Sequence, residues 1–171
     1  MLSGIGRDAC LMTNWNDITV TAPELASKVR ARFEATGLGY LATLRPNGFP
    51  RISGLEPLFA EGELWLGMMP DSLKAKDLRR DPRFALQSAN TDKQVAGGDA
   101  RITAMAVETA PDELERFRKL FAAANGVEPP PGSFHLFRAD IVELTFLMPA
   151  GDHLVIESMR AGGLPKRVER R

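Results

Sequence analysis

Between Gly39 and Met68 the chain carries short apolar runs separated by two turn signals, Pro46-Asn47-Gly48 and Glu61-Gly62. An Asn-Gly pair supplies the positive φ that a tight hairpin turn needs. The runs Gly39–Arg45 and Phe49–Phe59 therefore predict a β-hairpin. Glu63–Met68 follows as a third strand, with Leu64 and Leu66 on one face. Strands joined by such short turns pair antiparallel, so this stretch commits the chain to a largely antiparallel sheet.

The flanking sequence extends the pattern. Thr21 with Glu24 three positions later reads as a capping box, and Pro23 suits a first helical turn. Leu25, Val29 and Phe33 then recur at helical spacing, predicting a helix from Pro23 to about Thr36 that stops at Gly37. Pro70-Asp71-Ser72 opens a short helix through about Arg80, which Asp81-Pro82 ends. Arg83–Ser88 is a fourth strand, 90–98 a polar loop and Ala100–Thr109 a fifth strand. Pro111–Asn125 is helical, with Leu114, Phe117, Leu120 and Phe121 on one stripe before Gly126. After a proline-rich loop, Phe134–Met148 and His153–Met159 are the last strands. Residues 162–171 read as a polar, adaptable tail and 1–20 as an N-terminal extension of one domain. About six or seven antiparallel strands with flanking helices tend to close or curl so as to hide their edges.

Composition narrows the function. Lys plus Arg and Asp plus Glu number 22 each and aromatics are 7%. Nothing here provides the basic, aromatic-lined groove of a single-stranded nucleic-acid binder. A single cysteine, Cys10, rules out an intrachain disulfide and fits a reducing, cytoplasmic setting. Met1–Met12 carries Arg7 and Asp8 without a continuous apolar run, unlike a secretory signal. No stretch approaches the roughly 20 apolar residues of a spanning helix.

The chemistry concentrates between Leu41 and Ser88. Ser72-Leu73-Lys74-Ala75-Lys76 stands at a helix start, where unpaired backbone N–H groups attract anions. Lys74 adds a mobile charge. Arg51, on a strand, could add a planar fork. Together they would hold a phosphate monoester. The same residues also satisfy a plainer description, solvated charges on a short surface helix.

Three segments in order, Leu41-Ala-Thr-Leu-Arg-Pro-Asn-Gly-Phe-Pro-Arg-Ile-Ser53, Gly62-Glu-Leu-Trp-Leu-Gly67 and Ser72-Leu-Lys-Ala-Lys-Asp-Leu-Arg-Arg-Asp-Pro-Arg-Phe-Ala-Leu86, resemble the pyridoxamine 5′-phosphate oxidase-like proteins. The resemblance covers roughly residues 38 to 109. It implies a split β-barrel that binds FMN at a homodimer interface and oxidises or reduces a small molecule. A sister branch binds a deazaflavin coenzyme, and a flavin- or haem-binding carrier or sensor is a further possibility on the same barrel. By resemblance, Arg51, Ser72 and Lys74 meet the cofactor phosphate, with Lys76 next in line. Ile52 and Ser53 present backbone to the flavin, and Met68 and Met69 lie beside the ring and ribityl chain. Two departures stand out. Leu73 replaces the arginine that precedes the phosphate lysine in true oxidases. Their C-terminal arginine–histidine substrate motif has no match between Leu154 and Arg171, which argues against pyridoxine phosphate as substrate.

Other candidates are weaker. His135 and His153 sit in apolar strands and suit structural or surface roles. No His, Cys, Asp and Glu cluster has zinc spacing. Gly37-Leu38-Gly39 lacks the rest of a dinucleotide fingerprint. Cys10 has no nearby partner for thiol catalysis. Trp65 and the Met68-Met69 pair also suit a core, and Asp77–Arg83 reads as a solvated helix end. No catalytic acid or base emerges.

Overall fold

The expected hairpin forms, with Gly48 at φ 82° in its turn. β1 (Gly39–Leu44) and β2 (Pro50–Leu55) pair antiparallel, Leu41 opposite Ser53 and Thr43 opposite Arg51. The computed structural model describes residues 13–129 and 131–171; Cys10 and the Met1–Met12 stretch lie outside the described residues. One glutamate, Glu56, separates β2 from β3 (Pro57–Ala60), which turns at Glu61-Gly62 into β4 (Glu63–Met68).

The remaining strands are β5 (Arg83–Ser88), β6 (Asp99–Glu108), β7 (His135–Ala150), β8 (His153–Arg160) and β9 (Lys166–Arg170). All described pairings are antiparallel, in the order β2-β1-β5-β6-β7-β4-β3, with β8 and β9 added along β7. The long β7 serves two sheets' worth of partners. Its first residues pair with β4 and its last eight with β8. A register shift in the β6–β7 ladder between Thr103 and Ala104 bends the pair, as a bulge does. The path begins with β2 and ends with β3, two strands that adjoin in the chain, so the sheet curls into a split β-barrel.

Alternation fills the barrel. On β5, Phe84, Leu86 and Ser88 point inward while Arg83, Ala85 and Gln87 point out, the period-two pattern of a half-buried strand. Inside, Leu41, Leu64, Leu66, Ile102, Ile141 and Leu144 are fully buried. α2 (Pro23–Glu34) lays Leu25, Ala26, Val29 and Phe33 onto this core. α4 (Glu113–Asn125) covers the outside of β3, β4 and β7, where Phe117 packs with Leu58, Trp65 and Leu136.

Three expectations change. Thr21 does not cap α2. It ends an additional helix, α1 (Trp15–Thr21), which Asn14 caps through Asp17 N–H. Ala22 takes the α2 N-cap position without a side-chain bond, and Pro23 opens the helix as expected. α1 exists because Trp15 and Ile18 bury against the barrel, Trp15 meeting Phe59 edge-on at 4.6 Å. Finally, residues 166–170 are not a loose tail but β9, paired with β8 from Leu154↔Arg170 to Ser158↔Lys166. Its side chains are all exposed, so no apolar alternation announces it.

Candidate functional site: a cationic shelf beside the plug helix

α3 (Leu73–Arg80) packs against β1 and buries Ala75, Asp77 and Leu78. It starts where the turn Pro70-Asp71 lifts the chain off β4, with Asp71 at φ 58°, a conformation aspartate tolerates better than most residues. Ser72 caps the helix, its Oγ accepting from Ala75 N–H at 3.3 Å. The first N–H groups, those of Leu73 and Lys74, have no acceptor within the helix. No acidic residue stands in the first turn, and Arg79 and Arg80 stand in the last. Ser72 takes up one N–H of the positive end of the helix dipole, and Asp71 stands just before it, paired with Lys76.

Lys74 leans from this start onto β2 and donates to the Gly54 carbonyl at 2.6 Å. Among the described residues β2 pairs with β1 alone, which leaves its other edge without a ladder. Burial against that edge pushes the Lys74 ammonium below the usual lysine range, since low-dielectric surroundings disfavour the charged form. An anion arriving here would reverse that penalty.

Arg51, three residues before Gly54, faces the barrel end. Its Nε donates to Asp77 Oδ2 at 2.6 Å, and its terminal nitrogens have no partner among the described residues. Asp77 is 2% exposed. The same oxygen accepts from Thr43 Oγ1 at 3.0 Å, while Oδ1 accepts from Arg80 Nη1 at 3.3 Å. Burial alone would raise this carboxyl's pKa; the bonds from Arg51 and Thr43, the Arg51 charge and Arg80 outweigh it and hold the group below its ordinary value. Arg80 also donates to the Leu44 carbonyl. The expectation of a solvated helix end thus fails at Asp77. Together with Ala75 and Leu78 it forms the buried face of α3. A carboxylate can occupy that face because two guanidinium groups converge on it. The only trace of this in the sequence is an isolated acid among Lys74, Lys76, Arg79 and Arg80, a pattern that surface helices share.

The other expected site residues divide. Ser53 shares the inward parity of Arg51, while Ile52 and Gly54 face outward, Ile52 at 73% exposure. Met68 is buried in the barrel core, and Met69 beyond it is 72% exposed. Of the two methionines, only Met69 offers its side chain to a ligand. Lys76 stands about 200° round the helix from Lys74 and pairs with Asp71 at 3.7 Å, away from the shelf. Leu73 is exposed beside Lys74. The two histidines have polar neighbours, Arg79 at 3.0 Å from His135 Nδ1 and Asp152 at 3.1 Å from His153 Nδ1. A cleft of about 290 Å³ opens elsewhere, between α2, the β2–β3 junction and α4. Arg51, Ser72 and Lys74 are not among its walls.

The fold is that of a split β-barrel, with Lys74 at the start of α3 bonded to β2 and Arg51 of β2 bonded to Asp77 of the same helix. The model of the pyridoxamine 5′-phosphate oxidase family matches residues 25–148, and the chain belongs to that family. No curated protein matches it in sequence. Solved structures share the fold at low identity. PhzG from Burkholderia lata, seen with tetrahydrophenazine-1-carboxylic acid, is 17% identical with a TM-score of 0.62, over 92% of this chain and 93% of its own. A heme binding protein from Mycobacterium smegmatis is 22% identical with a TM-score of 0.55, over 79% of this chain and 58% of its own. An F420 reductase is 17% identical with a TM-score of 0.52, over 63% of this chain and 87% of its own. At these identities the likeness is one of fold.

Proposed function

We propose that the protein is an oxidoreductase that binds FMN, with the flavin phosphate held by Lys74, Arg51 and the Ser72 end of α3. The observation that carries this reading is the Lys74 ammonium, partly desolvated against β2 at the start of α3, where the Leu73 and Lys74 N–H groups have no acceptor within the helix. The residues present fit a phosphate monoester: Lys74 supplies a point charge, Arg51 two unpartnered nitrogens and α3 its first N–H groups. The flavin, when bound, supplies the hydride or electron chemistry. The protein binds and orients it, with the Ile52–Ser53 backbone and Met69 placed to meet the ring side.

The open shelf suits a site completed by a second copy of the chain. Tyr40 on β1 and Ile52 on β2, exposed at 51% and 73%, lie on the outer sheet face next to it. Covering them in a homodimer would also shelter the free edge of β2. The single cysteine agrees with a cytoplasmic location. A second reading, a deazaflavin coenzyme in place of FMN, draws on the F420 reductase of like fold and would use the same shelf.

Titration tests the assignment. Lys74→Ala should weaken FMN binding by about tenfold or more, the loss of one charge-assisted hydrogen bond. Lys93→Ala, in the 90–98 loop, should change it little. Riboflavin, which lacks the phosphate, should bind weakly and ignore both changes. Equal losses for FMN and riboflavin would remove the phosphate from Lys74, and tighter binding of the deazaflavin coenzyme than of FMN would favour the second reading. Light scattering of the flavin-loaded protein should give a dimer; a loaded monomer at micromolar concentration would refute the shared site.

A further inference from the structure

We propose that Asp77 is a positioning residue that fixes the Arg51 guanidinium with its terminal nitrogens turned to the cofactor phosphate. The inference rests on the flavin-phosphate reading above and adds to it a residue that does not itself touch the ligand.

An arginine on an edge strand has a long stem and many rotamers. A phosphate site gains from it only if the guanidinium plane is set in advance. Asp77 sets it. The carboxylate is almost wholly buried, on a helix that the barrel core anchors through Ala75 and Leu78. It takes the Arg51 Nε–H at 2.6 Å. That bond uses one of the five guanidinium donors and leaves the terminal nitrogens free. Asp77 itself cannot swing, because Thr43 holds the same oxygen from β1 and Arg80 holds the other from the last turn of α3.

The charges point the same way. One carboxylate lies between Arg51 and Arg80, so the cluster keeps a surplus positive charge next to Lys74. A group needed only to fill the barrel end would be apolar, because burying a carboxylate carries a desolvation cost that well-packed hydrophobic residues avoid. Here the acid joins three elements, β1, β2 and α3, through its bonds to Thr43, Arg51 and Arg80.

The experiment compares FMN and riboflavin binding by the full chain for wild type, Asp77→Asn, Arg51→Ala and the double variant. Asp77→Asn keeps the size and one acceptor oxygen of the side chain. It should lower FMN affinity about five- to tenfold, in the range of a weakened charge-assisted contact, and leave riboflavin unchanged. On the Arg51→Ala background it should have no further effect, the signature of action through Arg51. Equal loss for both flavins, or the same loss with Arg51 already removed, would show a merely structural role and overturn the proposal.

A measurement on wild type stands independently of any variant's folding. The Arg51 Nε–H should exchange slowly with solvent by NMR, before and after FMN addition, while that of exposed Arg45 exchanges fast. Exchange at the Arg45 rate would also overturn the proposal. Wild type that binds no FMN would sink the flavin reading and this inference with it. FMN binding without Asp77–Arg51 coupling would sink this inference alone.

Discussion

Two aspartates of the α3 region, Asp77 and Asp81, link the stability of this protein to acid. Arg83, through its side chain, its backbone N–H and its charge, holds the Asp81 carboxyl at about 2. Asp77 is also held below its ordinary value against the effect of burial. Unfolded, both would titrate near the ordinary aspartate value of roughly 3.9. A carboxyl whose folded-state pKa is depressed binds protons more readily in the unfolded chain, so stability rises with pH across that window. The contribution of both groups is therefore complete above about pH 4 and declines as pH falls toward 2. Thermal unfolding should show a midpoint insensitive to these groups between pH 7 and 5 and falling below pH 4. Asp77→Asn should flatten part of that fall; an unchanged slope would contradict the role of the buried carboxylate. At this scale the sequence is half legible. Lys74 and Ser72 announce themselves by their place at a helix start, and Arg51 by resemblance. Asp77 does not, because its burial depends on two arginines, one of them on a different strand.

Among the elements, α4 is attached to the barrel chiefly through one ring. Phe117 is its buried residue, with Phe134 at 5.5 Å, Phe121 at 5.8 Å and Trp65 at 6.3 Å between ring centroids. It seats over Gly67 of β4, where a Cβ would come within 3.1 Å of its Cζ. Phe117→Ala should cost about 3 kcal/mol or more in urea unfolding, the usual range for emptying an aromatic site. It should leave FMN affinity unchanged, since α4 and the shelf lie on different parts of the barrel. A loss under 1 kcal/mol would mean that α4 is held by its polar contacts instead. The stripe that produces this packing was readable, because Leu114, Phe117, Leu120 and Phe121 repeat at helical spacing. α1 and β9 were not. α1 is short and owes its existence to tertiary burial of Trp15 and Ile18. β9 has two wet faces and thus no alternation, and only its backbone pairing with β8 defines it.

At the scale of the whole molecule, the antiparallel order could be read from turn chemistry, since Asn47-Gly48 and Glu61-Gly62 set neighbours directly. The closure could not, for it depends on which distant strands meet, and β7 is shared among β6, β4 and β8. The first and last strands of the sheet path, β2 and β3, are separated in the chain by Glu56 alone. The barrel is thus a bracelet fastened by its own thread: among the described residues its seam has no hydrogen-bonded ladder, yet the Leu55 and Pro57 ends of its two margins cannot drift apart by more than one residue allows. Lengthening the thread should slacken the whole ring. Four Gly/Ser residues inserted after Glu56 should lower the unfolding temperature by several degrees more than the same insertion after Lys93, where lengthening an existing loop costs only about 0.6 kcal/mol per doubling. Equal shifts would mean that packing alone fastens the seam. A joint that runs through one residue is also a pivot: β2 and β3 stay together at Leu55 and Pro57, while their far ends, at Pro50 and Ala60, share no ladder among the described residues, so the barrel should breathe by swinging open from those far ends.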